Sequence, residues 1–168
     1  MLCYVSPLHV MSLHYYCIDY CNSLLYGAAE KSLDKLQRVQ NKLARVVLGV
    51  GPRERHSIDL LRDLHWLPVR SRITLKISIM CYRALQTGEP SYLKDVIQQY
   101  RPVRTLRSSD LNLLTEPISR TKTAARRFSC AGQRVWNTLP QAIRTSNSLA
   151  TYKTQLKTHF FTGAFDNH

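Results

Sequence analysis

The chain has 168 residues, 44% of them hydrophobic, which is the size of one domain and enough to bury a core. Lys and Arg number 24 against 11 Asp and Glu, a formal net charge of +13, so the natural partner on electrostatic grounds is a polyanion, nucleic acid first. Five scattered cysteines argue against a disulfide-dense secreted scaffold and for free thiols, and no apolar run reaches the length needed to cross a bilayer.

Residues 1–16 show no clean period and lack the basic start of a signal peptide. From Ser32 onward, Leu33, Leu36, Val39, Gln40, Leu43, Val46 and Val47 trace an apolar helical stripe, which predicts a helix over about 32–48 closed by Gly49, Gly51 and Pro52. Ser57 is placed to cap a short helix with Leu60, Leu61 and Leu64 inward, and Leu67-Pro68 turns the chain into a third helix over about 69–86. Gly88 and Pro90 end that helix, and Ser91 is placed to cap another short one through Ile97.

Residues 101–109 read as a basic loop, and 112–118 as a candidate short strand interrupted by Pro117. A helix over about 125–138 sets Phe128, Ala131, Val135 and Trp136 on one side, and Ser148 is placed to cap a last helix carrying Leu149, Tyr152, Leu156 and Phe160. The tail from residue 162 onward is expected to fray. With no internal repeat and no long linker, the expected fold is mainly α: a small bundle of about five to six helices, a basic loop and room for one short strand pair.

Positive charge concentrates in two stretches: residues 31–76 hold 11 basic and 4 acidic side chains, and residues 101–134 hold 8 and 2. The chain has no phosphate-binding glycine loop, no dinucleotide fingerprint, no nucleophile elbow and no clustered aspartates to hold magnesium, so no catalytic residue and no cofactor is assigned. His14, Cys17, Asp19 and Cys21 are chemically suited to zinc but lack a second ligand pair at finger spacing, so no metal site is assigned. Cys81 and Cys130 read as small buried hydrophobes, and Trp66 and Trp136 as core wedges ahead of a proline turn rather than stacking platforms. The candidate phosphate contacts are Arg101, Arg104 and Arg107, recurring every third residue, followed by Arg120, Lys122, Arg126 and Arg127.

Seven segments stand in order: DYCNSLLYG (19–27), LDKLQRVQNKLARVVLG (33–49), LHWLPVRSRITLKI (64–77), YRALQTGEPSYLKD (82–95), RTLRSSDLNLL (104–114), TKTAARRFSCAGQRVWNTLP (121–140) and SLATYKTQLKTHFF (148–161). In that order they resemble the C-terminal part of reverse transcriptases from non-LTR (LINE-type) retrotransposons, especially jockey-like and chicken-repeat-like elements. The resemblance covers about residues 17–161. It implies a thumb-like region and tail that follow the polymerase palm, from which the family's Phe/Tyr-Ala-Asp-Asp aspartates and its N-terminal endonuclease are missing.

The expectation is therefore a truncated reverse transcriptase fragment without enzymatic activity, bearing an unassigned extension over 1–16, a helical region over 17–161 and a frayed tail over 162–168. Its expected partner is template RNA or an RNA–DNA duplex, its expected location the cytoplasm or nucleus, with no membrane association and no secretion. A host-retained helical module that binds a protein partner, or a nonfunctional remnant, is the alternative.

Overall fold

The structure is a computed structural model and describes residues 18–100 and 112–166. It is mainly helical, as the hydrophobic periodicity predicts. After a 3₁₀ turn at Asn22–Leu25 come α1 (Glu30–Leu48), α2 (Ser57–Asp63), α3 (Val69–Gln86) and α4 (Ser91–Lys94). Then follow α5 (Lys122–Ala125), α6 (Phe128–Thr138), α7 (Gln141–Arg144) and α8 (Leu149–Phe165). The excess over the expected five or six helices comes from α5 and α7, each a single turn too short to show a period; the expected short helix at Ser91 is α4, which ends at Lys94 rather than Ile97.

The fold divides into two compact units, one of residues up to Ile73 together with those from Phe160 onward, the other of Thr74–His159. In the first unit, Ala44, Leu60, Leu61, Trp66 and Phe165 form the core, with Leu43, Val47, Ile58, Leu64 and Phe161 packed against it. Trp66 is thus the wedge that its place before Pro68 predicts. Gly49 closes α1 in the left-handed region at φ 64°, where a side chain would be strained, so the chain turns there as expected. Arg45 fixes the following loop: its guanidinium donates to the carbonyls of Gly51 and Arg55 and to the Ser57 hydroxyl. That bond occupies Ser57 as the first residue of α2, and His56 stands at the cap position instead of the serine.

In the second unit three buried rings stack: Tyr82 on Tyr152 with centroids 4.1 Å apart, and Trp136 on Tyr152 at 6.1 Å. Each ring sends its one polar atom to a backbone carbonyl, as a buried amphipathic ring must. Tyr82 donates to Ser146 at 2.9 Å, Tyr152 to Ser78 at 3.1 Å and the Trp136 indole to Asn112 at 2.7 Å. Gly132 sits where α6 runs close to Cys81: a Cβ there would come within 2.9 Å of the Cys81 sulfur.

Other expectations need adjusting. The last helix does not fray after residue 162, because Phe165 is buried in the first unit's core and carries the helix through Gly163. The helix expected over 125–138 is α6 and starts three residues later, at Phe128, because Arg127 is extended; the separate turn α5 before it, capped by Thr121 accepting from the Ala124 amide, was not expected. Ser91 is the first residue of α4, and Pro90 stands at its cap position. Among the described residues the strand pair amounts to one antiparallel bridge, between Gln99 and Leu114. On the side of Leu114 that faces away from Gln99, the Asn137 amide takes both its N–H and its C=O, at 2.9 and 2.8 Å.

Candidate nucleic-acid interface

Of the seven expected phosphate contacts, Arg101, Arg104 and Arg107 lie outside the described residues. The other four, Arg120, Lys122, Arg126 and Arg127, are all exposed within eight consecutive residues that contain no acid. Local structure brings them together. Lys122 opens the single turn of α5 and Arg126 closes it four residues later, one helical turn along the same side. Arg127 then stands at the N-terminal boundary of α6, its Nε donating back to the Ala124 carbonyl at 3.3 Å. A cation at the positive end of an 11-residue helix is electrostatically unfavourable by itself and leaves a local potential suited to an anion. The next arginine along, Arg134, is engaged by Glu116 at 3.7 Å and adds less to it.

The other basic stretch is largely spoken for. Arg45 holds the loop after α1, Arg55 pairs with Asp63 at 2.7 Å, and Arg72 reaches Asp19 at 2.5 Å and the Leu67 carbonyl at 2.9 Å. Arg70 bridges Glu30 and Asp34, the only two acids of α1, and these bonds raise its already high pKa. What remains on α1 is Lys31, Lys35, Arg38 and Lys42, all exposed and without an ion pair among the described residues. The helical period places Lys35, Arg38 and Lys42, with Arg45, beside the apolar stripe, but the candidate phosphate contacts do not include them, although the spacing of four, three and four residues from Lys31 is there to be read. The same period counts Val39 and Val46 into the apolar stripe, and both are exposed, at 49% and 61%. The buried face runs through Leu33, Gln40 and Ala44 instead.

Arg144 is a different kind of cation, 6% exposed, with Nε and Nη1 lacking a hydrogen-bond partner among the described residues and its pKa lowered by burial. Cys81 is fully buried and its thiol is pushed up to about 12 by desolvation, so it packs as a hydrophobe, as does buried Cys130. Asp19 is committed to Arg72 and Cys21 is an exposed free thiol, while His14 and Cys17 lie outside the described residues. Among the described residues no group of three metal-ligating side chains forms, and no helix is long and apolar enough to cross a membrane.

No protein-family model matches the chain, and neither do curated proteins or solved structures.

Proposed function

We propose that the chain is the post-palm region of a non-LTR retrotransposon reverse transcriptase, and that it binds RNA or an RNA–DNA duplex through phosphate contacts without synthesising either. The observation that carries the binding role is the exposed, acid-free run of Arg120, Lys122, Arg126 and Arg127 at the break between α5 and α6. Four cations within eight consecutive residues are a phosphate grip that requires no particular base sequence. The ancestry is supported by the seven ordered segments of the chain. Under this reading the protein works inside the cell, in the cytoplasm or nucleus.

The test is a fluorescence titration with an RNA hairpin and an RNA–DNA duplex over a series of salt concentrations. Binding should weaken as salt rises, and replacing all four cations by Gln should make the log–log slope shallower by about 3 to 4, close to one for each phosphate no longer neutralised. Folded protein that binds neither ligand at low salt refutes the proposal.

A second reading, a helical module for a protein partner, is favoured in the first unit by the exposure of Tyr20 at 79% and Leu24 at 74%, four residues apart. Partner capture indifferent to salt, by protein that binds no nucleic acid, would select it.

A further inference from the structure

The α1 row differs in kind from the cluster at residues 120–127. Lys31, Lys35, Arg38 and Lys42 repeat at helical spacing, so they line one side of a rigid rod opposite the buried face of Leu33, Gln40 and Ala44. At 1.5 Å rise per residue the row is about 16 Å long. Its charge is undiluted because Arg70, from the first turn of α3, holds both Glu30 and Asp34. Without that bridge the two carboxylates would stand within one helical turn of the lysines and compete with any phosphate. The arrangement also indicates which nucleic acid fits. Single-strand binders stack bases on aromatic rings, and α1 contains no aromatic residue: its uncharged exposed residues are Ser32, Val39 and Val46. A straight row of cations without stacking platforms suits the regular phosphate backbone of a paired strand.

We propose that Lys31, Lys35, Arg38 and Lys42 form a second phosphate track that follows one strand of a nucleic-acid duplex, with Arg70 as the positioning residue that keeps the track free of acids. This rests on the nucleic-acid reading above but on different residues, so the two fail separately.

The experiment titrates the full chain into a 20-base-pair RNA–DNA hybrid and into its single RNA strand across salt. Wild type should bind the hybrid more tightly. Lys35→Gln, Arg38→Gln and Lys42→Gln together should flatten the hybrid salt slope by about 3, and each alone by about 1. The single variants, at exposed positions, keep the test valid should the triple variant lose helix content. Arg70→Met should weaken hybrid binding several-fold more than Lys157→Gln, which removes the same charge from an exposed position outside the row. Adding Glu30→Gln and Asp34→Asn to Arg70→Met should restore binding, because the acids are then neutral; a purely structural role for Arg70 would not be rescued this way. A triple variant with the wild-type slope, while the four-Gln variant at 120–127 loses its slope, overturns the track and leaves the nucleic-acid reading standing. Tighter binding to the single strand overturns the duplex assignment. Wild-type protein that binds nothing overturns both proposals.

Discussion

The two units anchor main-chain carbonyls with side-chain donors of different kinds. In the first, arginines do it: part-buried Arg45 takes two carbonyls and a hydroxyl, and Arg72, its side chain 14% exposed, the Leu67 carbonyl. In the second, Tyr82, Trp136 and Tyr152 do this from inside, as buried rings whose polar atoms emerge at Ser146, Asn112 and Ser78. A part-buried guanidinium keeps some of its hydration, whereas a buried ring contributes its whole apolar area as well as the bond. The difference also bears on function. Cations enlisted in the first unit's own loops are not available to a ligand, so the charge of residues 31–76 overstates the binding surface there, and the four side chains left on α1 are the part that counts.

The sharpest way to test this contrast is Trp136→Ala. It removes a 2%-exposed ring from the stack and leaves the Asn112 carbonyl without its donor, so the loss should be about 3 to 5 kcal/mol in urea unfolding. Arg45→Met keeps the aliphatic stem and gives up three charge-assisted bonds that water can partly replace, which should cost about 1 to 2 kcal/mol. Its effect should show as faster amide exchange in residues 49–57. Equal costs for the two substitutions would break the comparison, since guanidinium and ring anchoring would then be energetically alike.

How far the sequence could be read follows from the range of each signal. Helix α3 was legible to its ends because Pro68 and Gly88 bracket a clear apolar period. The end of α1 was legible from Gly49, and Ser148 does accept from the Thr151 amide as a cap should. What escaped depends on residues distant in sequence. Nothing near Ser57 announces that Arg45 will take its hydroxyl, and nothing near Leu114 announces the Asn137 amide. The candidate site was legible as a run of cations but not as a choice among them. Composition treats Arg70 and Lys35 alike, and only the folded chain shows that one is spent on carboxylates and the other is exposed.

The smallest expected effect addresses the local signal that misled. Gly163 marks the start of a frayed tail if propensity alone decides, because glycine costs a helix interior roughly 0.5 to 1 kcal/mol relative to alanine. In the fold it lies inside α8, exposed, with nothing within 4 Å of the position a Cβ would take. Two residues on, Phe165 packs into the first unit's core, lies 4.6 Å from the Phe161 ring and receives the Arg62 cation 5.9 Å above its face. Tertiary packing therefore holds the last turn helical despite the glycine. Gly163→Ala adds no clash and narrows the unfolded ensemble, so it should stabilise the protein by about 0.5 to 1 kcal/mol, read as a higher urea midpoint at unchanged slope. A neutral or destabilising result would mean that the last turn is not helical in solution, and that Phe165 does not anchor the first unit's core.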